Sequence, residues 1–169
     1  TAISAASASF SGGFGSINLN NIAFTLTGTG ANVWTDSGFT GTWTAPASGS
    51  VAFSGTAPEI SSSHALYDIS IADSTTLTAL TALDIRNAEI GTSGAASLVL
   101  ANATQTFRGS ATGTGTLDAS AISAANTLTV QGDLGVPAGT ALSAFLAPEG
   151  AVNVEGNWNV TTLTLAGTP

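Results

Sequence analysis

The chain has 169 residues, of which 43% are hydrophobic and only 7% are charged, with ten acidic residues, two arginines and no lysine. A formal charge of −8 leaves no basic surface for phosphates, which argues against nucleic-acid binding. The hydrophobic content excludes a highly charged disordered chain. No run of apolar residues is long enough for a membrane span. The lack of cysteine excludes disulfides and thiol chemistry. The Ser, Thr, Gly and Ala content favours an exported, extracellular or cell-surface protein. A first residue of Thr1 indicates a chain whose signal peptide has been removed, or a fragment.

The segment 1–16 consists mainly of Ala, Ser and Gly, interrupted by Ile3, Phe10 and Phe14. This composition predicts an N-terminal arm, either a frayed, flexible lead-in or a strand donated to another subunit. In the second case the three apolar side chains would be the assembly anchors.

From residue 17 onward, short runs alternate between apolar and polar residues with a period of two, which predicts β-strands rather than helices. Gly, Ala, Ser, Thr and Pro separate the runs. Residues 76–90 place several leucines on one helical stripe, but their β-branched threonines favour strands. The predicted strands lie at 17–19, 22–27, 33–35, 38–44, 50–54, 66–71, 76–78, 83–86, 98–100, 106–109, 116–118, 127–134, 152–158 and 163–165.

A weak repeat of an apolar strand end followed by glycine recurs at Gly28, Gly55, Gly109 and Gly167. The interval from Gly55 to Gly109 is twice the interval from Gly28 to Gly55. Intervals of this size are typical of solenoids, in which each turn buries its apolar residues against its neighbours. The sequence therefore predicts one all-β solenoid domain over residues 17–169, with residues 17–49 as a cap or a small β-sandwich. A β-sandwich filament subunit remains the alternative fold.

Phrases such as Tyr67-Asp-Ile-Ser-Ile, Thr127-Leu-Thr-Val-Gln-Gly-Asp-Leu and Val152-Asn-Val-Glu-Gly-Asn-Trp resemble bacterial surface β-solenoid repeats. Such repeats occur in filamentous-haemagglutinin-like adhesins and autotransporter passengers, and Ala/Thr-rich S-layer proteins have a similar texture. The resemblance covers about residues 50–169. It implies an exported right-handed parallel β-helix with a structural or adhesive role and no catalytic residues.

The only histidine, His64, follows three serines (61–63) and precedes Asp68. A Ser/His/Asp nucleophile needs these groups in one site, but serine is so common in this chain that proximity carries little weight. No nucleophile-elbow motif is present. We therefore expect a solvent-exposed loop histidine and no enzymatic activity.

Two further sets of residues are candidates for binding. Trp34, Phe39 and Trp43 could form a glycan platform, although the same aromatic residues would also fill a core or cap a solenoid end. The only local concentration of carboxylates could hold a structural Ca²⁺, whereas solvated turn carboxylates are the default, and no other cofactor is expected. That concentration comprises Asp68, Asp73, Asp84 and Glu89.

Together these patterns predict a non-enzymatic structural or adhesive component of a cell-surface assembly, such as a filament, S-layer or adhesin stalk. Its expected partners are copies of itself or other surface proteins. A glycan-binding β-module that takes up polysaccharide is the first alternative. A fragment of a polysaccharide-degrading β-helix is the second.

Overall fold

The computed structural model describes residues 1–93, 95–135, 142–146, 151–160 and 162–165. These residues form strands, turns and loops, with no helix among them. The strands are β1 (Ala2–Ala5), β2 (Ala8–Gly12), β3 (Ser16–Asn18), β4 (Ala23–Leu26), β5 (Gly30–Phe39), β6 (Thr42–Thr44), β7 (Ser50–Phe53), β8 (Pro58–Ser61), β9 (Asp68–Ile71), β10 (Thr76–Ala79), β11 (Asp84–Ile85), β12 (Asn87–Ile90), β13 (Ser97–Val99), β14 (Gln105–Phe107), β15 (Ala111–Gly113), β16 (Thr116–Ala119), β17 (Thr127–Val130), β18 (Leu134–Gly135), β19 (Ser143–Leu146), β20 (Ala151–Val154), β21 (Trp158–Asn159) and β22 (Thr162–Leu165).

The strands stack into three faces of a parallel β-solenoid. The first face has the order β1-β4-β7-β9-β12-β15-β18-β21, and the second has the order β2-β5-β8-β10-β13-β16-β19-β22. The third face is made of two separate sheets, β3-β6 and β11-β14-β17-β20. Every strand pair that the structure describes is parallel. The prediction of an all-β solenoid is therefore confirmed, and the sandwich alternative is wrong.

The period-two pattern of the sequence becomes columns of like residues on the two sides of each face. On the second face, the inward column of Leu77, Leu98, Leu117 and Ala144 is buried. The adjacent outward column contains only hydroxyl side chains, because strand neighbours point to opposite sides of a sheet. It comprises Thr76, Ser97, Thr116, Ser143 and Thr162.

The segment 1–16 belongs to this stack, which corrects the prediction of a separate arm. β1 pairs with β4 in register from Ala2 to Ala5, and β2 pairs with β5. Residues 17–49 continue the same three faces through β3, β4, β5 and β6. Both segments are therefore turns of the solenoid.

One corner of the solenoid, between the third and first faces, carries a polar ladder that crosses five turns. Asn87 Nδ2 donates to Asp68 Oδ1 (2.7 Å), and Ser110 N donates to Asn87 Oδ1 (2.9 Å). Asp133 N donates to Ser110 Oγ (3.0 Å), and Asn157 N donates to Asp133 Oδ1 (2.8 Å). The ladder satisfies backbone groups at the corner, where the regular sheet bonding stops.

Glycines precede the ladder residues in the later turns. A Cβ on Gly132 would lie 2.7 Å from the Gly109 carbonyl carbon, so a side chain does not fit between the stacked turns. The predicted glycine repeat is correct for Gly28 and Gly55, which stack directly. It is wrong for Gly109, which lies at a different corner, in line with Gly132 and Gly156, and Gly167 lies outside the described residues.

Candidate functional site

The third face is interrupted where the chain contributes residues 62–66 instead of a strand. We call this stretch the break segment. The two sheets of the third face, β3-β6 and β11-β14-β17-β20, end on either side of it. The length of a turn is the number of residues between a position and its partner on the next strand. The turn that contains the break segment, from Ser50 to Asp68, is the shortest in the first face, and the preceding turn, from Ala23 to Ser50, is longer.

A buried carboxylate holds the break segment to the preceding turn. Asp36 is 0% exposed and accepts hydrogen bonds on both oxygens. Its Oδ2 accepts from Trp34 Nε1 (2.8 Å) and Ser62 Oγ (2.6 Å). Its Oδ1 accepts from Ser63 N (2.7 Å) and lies 3.1 Å from His64 Nδ1. We call Trp34, Asp36, Ser62, Ser63 and His64 the polar cluster. Three donors and the His64 ring nitrogen surround the carboxylate, so both of its oxygens have partners in the interior.

A β-bulge explains why Phe39 faces the interior on the same strand as Trp34 and Asp36. Ser9 pairs with Thr35 and Ser11 pairs with Gly38, so the single residue Phe10 lies opposite both Asp36 and Ser37. A bulge of this kind adds one residue and reverses the inside–outside alternation beyond it. Trp34 and Asp36 are two residues apart and face inward by ordinary alternation, whereas Phe39 would face outward without the bulge.

His64 is a half-buried member of the polar cluster, not the exposed loop residue that the sequence suggested. Its side chain is 19% exposed, and its ring stacks on Trp43 with centroids 4.6 Å apart. Asp36 and the Ser63 hydroxyl (3.2 Å) both contact the same ring nitrogen, Nδ1. A serine nucleophile requires its hydroxyl on the nitrogen opposite the carboxylate, so these residues do not form a catalytic triad. Asp68, the predicted partner, hydrogen-bonds to Asn87 instead.

We call β3-β6 the lower sheet of the third face and β11-β14-β17-β20 the upper sheet. An open groove of about 200 Å³ runs beside the break segment, along the start of the upper sheet. Asp84 lies in this groove and forms an ion pair with Arg108 (Nε–Oδ1 2.7 Å). The same arginine donates from a terminal nitrogen to the Leu66 carbonyl (2.8 Å). The lining consists of Ser62, Ser63, His64, Ala65, Ala82, Leu83, Asp84, Thr104 and Thr106. The groove thus presents hydroxyls, one imidazole and one carboxylate that is already paired.

The predicted glycan platform belongs to the core. Trp34 is 0% exposed and Phe39 is 6% exposed, so neither ring can stack on a sugar from outside. Trp43 is half-buried between Phe10, Phe39 and His64. The platform prediction is therefore wrong for this set, and the core interpretation of the same aromatic residues is confirmed.

The four carboxylates predicted to bind Ca²⁺ lie at separate positions. Asp68 belongs to the corner ladder, and Asp84 pairs with Arg108 on the third face. Asp73 accepts from Thr92 N (2.9 Å) in a turn, and Glu89 is exposed on the first face. In the part of the chain that the structure describes, no three His, Asp or Glu side chains form a group able to hold a metal ion. The prediction that these four residues form one calcium site is therefore corrected.

The three predicted anchors have different environments. Phe14 is 99% exposed in a glycine-rich turn, and Ile3 is 38% exposed on the terminal strand β1. Phe10 contacts Phe24, Trp34 and Trp43 within the chain. Two of the three therefore remain on the surface, and the third helps to build the core.

Sequence reasoning missed two buried polar residues that shape the third face. Asp36 lies two residues after Trp34, a spacing that places both side chains on the same side of a strand, but the sequence does not show which side faces inward. Gln105 is fully buried, where its Oε1 accepts from Leu83 N (2.7 Å) and its Nε2 donates to the Ala101 carbonyl (3.0 Å). Its position inside an alternating apolar run could have indicated a structural amide.

Comparison with known proteins yields no family model, no curated protein and no solved structure that matches this chain significantly. The described residues include no helix that is long and apolar enough to cross a membrane.

Proposed function

We propose that this chain is a non-enzymatic structural segment of an extracellular or cell-surface assembly, such as a filament, a surface layer or an adhesin stalk. The observation that carries the proposal is the continuous parallel stacking of the first and second faces through eight strands each. Stacked parallel strands join every turn to the next by backbone hydrogen bonds and a shared apolar interior, which suits a load-bearing rod.

The outer surface supports the same proposal. The outward column on the second face carries hydroxyls at five successive positions, and only 7% of all residues are charged. Charged residues on strand edges normally prevent proteins from associating through their sheets. A surface with so few of them is compatible with close packing against copies of the same chain or against other surface proteins.

The terminal strands of the described sheets are the proposed contact points. β1 is the outer strand of the first face, and its Ile3 side chain is 38% exposed. An outer strand offers backbone donors and acceptors to a partner strand, and an exposed apolar side chain adds to the buried area. Stacking of a second copy on this end would extend the solenoid.

Electron microscopy of the purified chain at micromolar concentration tests this proposal. We expect filaments or sheets with a regular repeat, and we expect Ile3→Asp to abolish them by placing a charge in the contact. Leu80→Asp is the matched control, because Leu80 is similarly exposed (48%) but lies outside β1 and should leave assembly intact. Monodisperse wild-type particles, or equal assembly by both variants, would contradict the proposal.

A second candidate function is glycan binding on the first face. An open groove of about 320 Å³ is lined there by hydroxyl, amide and carboxylate side chains, which are the groups that bind sugar hydroxyls. The lining comprises Ser50, Asp68, Ile69, Ser70, Asn87, Ala88, Glu89 and Thr112. A glycan array with wild type, Glu89→Gln and the distant control Glu59→Gln tests this candidate. Binding lost only in Glu89→Gln supports it, and an array without any bound glycan contradicts it.

A further inference from the structure

The break segment is joined to its two neighbours in unequal ways. Towards the upper sheet of the third face it continues the backbone ladder, since Leu66 N donates to the Asp84 carbonyl (2.9 Å). Tyr67, the next residue, accepts from Arg86 N (2.7 Å). Within that upper sheet the same pattern repeats, for example from Thr106 N to the Leu83 carbonyl (2.8 Å). The break segment thus forms part of the upper stack.

Towards β6 the join is made by side chains. Trp43 Nε1 donates to the Ala65 carbonyl (3.1 Å), and the His64 ring stacks on the Trp43 indole. Among the described residues, no backbone-to-backbone hydrogen bond links β6 to residues 62–66. The third face therefore lacks backbone hydrogen bonds between its turns at the break segment, whereas the first and second faces continue past it.

One carboxylate provides most of the remaining attachment on this lower side. Asp36 accepts from Ser62 Oγ and Ser63 N and contacts His64 Nδ1, so it binds three successive residues of the break segment. The His64 ring covers the outer side of the Asp36 contacts, because it stacks on Trp43 while its Nδ1 faces Asp36. Loss of the imidazole would remove one of these bonds and the stacking contact together.

We propose that the solenoid opens first at the break, between β6 and residues 62–66, and that the contact of His64 with Asp36 and Trp43 sets how readily it opens. Proteins open locally where few backbone bonds and buried contacts must be disrupted, and the break is such a place. Opening would separate the lower and upper sheets of the third face and widen the groove beside His64. The first and second faces would act as the hinge, which would make this level the bending point of a rod.

Amide hydrogen exchange on the dilute, full-length chain tests the proposal. In wild type, we expect Ser63 N to exchange at least about 10-fold faster than Thr106 N and Gln131 N, whose bonds belong to the uninterrupted ladder. His64→Ala should accelerate exchange at Ser63 about 10-fold further and leave Thr106 and Gln131 unchanged. Equal acceleration at all three amides, or no change at Ser63, would overturn the proposal.

Two further variants complete the experiment. His64→Gln keeps a side-chain donor near Asp36 but loses the stacked ring, so we expect an intermediate rate at Ser63, and it serves if His64→Ala does not fold. Asn126→Ala is the matched control, because Asn126 Nδ2 donates to Asn102 Oδ1 (3.0 Å) between turns in the uninterrupted part of the chain. It should leave exchange at Ser63 unchanged, and acceleration there would overturn the proposal. Exchange reports on the single chain, so the result is independent of whether the chain assembles.

Discussion

The lower and upper parts of the solenoid achieve the same stacking by different means. In the upper part, from residue 68, turns of similar length repeat one corner, with glycines and a polar ladder at equivalent positions. In the lower part, up to residue 67, turn lengths vary and the interior is filled by an aromatic cluster around Trp34. The break segment lies where the two parts meet.

The difference shows what a solenoid needs in order to tolerate irregular turns. A repeated corner distributes the stabilisation over many weak and equivalent contacts, each between neighbouring turns. An irregular turn must instead fill its own volume and satisfy its own polar groups, as Trp34 and Asp36 do together. Single substitutions should therefore have large effects at a few positions of the lower part and smaller, similar effects along the upper corner.

The largest expected effect is that of Trp34→Ala. The substitution leaves a cavity at a fully buried site and removes a donor from the buried Asp36 carboxylate. We expect the free energy of unfolding to fall by about 3–5 kcal/mol, measured by urea titration of the full chain. Phe107→Ala, at a fully buried site of the upper part, should cost about 3 kcal/mol because it opens a cavity without leaving a polar group unsatisfied.

Phe14→Ala provides the control for both core substitutions. Its ring is 99% exposed, so the free energy of unfolding should change by less than about 0.5 kcal/mol. If Trp34→Ala were as mild as Phe14→Ala, the aromatic cluster would not be the basis of the lower part, and the contrast between the two parts would fail.

Gly132→Ala tests the repeated corner. The new methyl group would lie 2.5 Å from Ser110 Oγ and 2.7 Å from the Gly109 carbonyl carbon, so the turns must move apart. We expect a loss of about 1–3 kcal/mol in the free energy of unfolding, the usual cost of overpacking. Gly38→Ala is the matched control, because the nearest atom to its new methyl group would lie 3.6 Å away. A similar loss in both variants would show that close stacking is not the cause.

Much of the upper part could be predicted from the sequence, and the reasons are local. The alternation of apolar and polar residues around Leu77, Leu98 and Leu117 indicates which residues face inward, because the side chains of a strand have a period of two. Glycine before a polar residue at Gly109, Gly132 and Gly156 also marks the repeated corner, although the predicted repeat grouped Gly109 with Gly28 and Gly55 instead. These signals need no knowledge of which strands pair, so they can be recognised without the structure.

The lower part and the site depend on contacts between residues distant in sequence. Asp36 meets His64 across 28 positions, and a bulge decides that Phe39 points inward on the same strand. The sequence alone suggested an exposed His64 and left open whether the aromatic residues form a platform or a core, since it cannot show which turn covers Trp34. The segment before Ile17 has the composition of a flexible arm, but pairing with β4 and β5 orders it.

Asp133→Ala probes one step of the polar ladder. The substitution removes the acceptor for both Asn157 N (2.8 Å) and Asn157 Nδ2 (3.0 Å) at a partly exposed corner. Since water can replace part of this bonding, we expect a loss of about 1 kcal/mol in the free energy of unfolding. Glu59→Ala, an acidic residue in β8 outside the ladder, should change it by less than about 0.5 kcal/mol. If the two substitutions had the same effect, the ladder would contribute nothing beyond the loss of a charge.

Arg108→Gln should have the smallest effect, and its salt dependence makes it informative. Arg108 joins the two parts of the molecule, because it pairs with Asp84 in the upper sheet and donates to the Leu66 carbonyl in the break segment. Both side chains of the pair are partly exposed, so we expect a loss of about 0.5 kcal/mol in dilute buffer. The loss should shrink towards zero in about 1 M salt, because salt screens exposed charges but not the buried hydrogen bonds around Asp36. A loss that persists at high salt would mean that the bond to Leu66 matters more than the ion pair, and the upper part would then hold the break segment by a neutral contact.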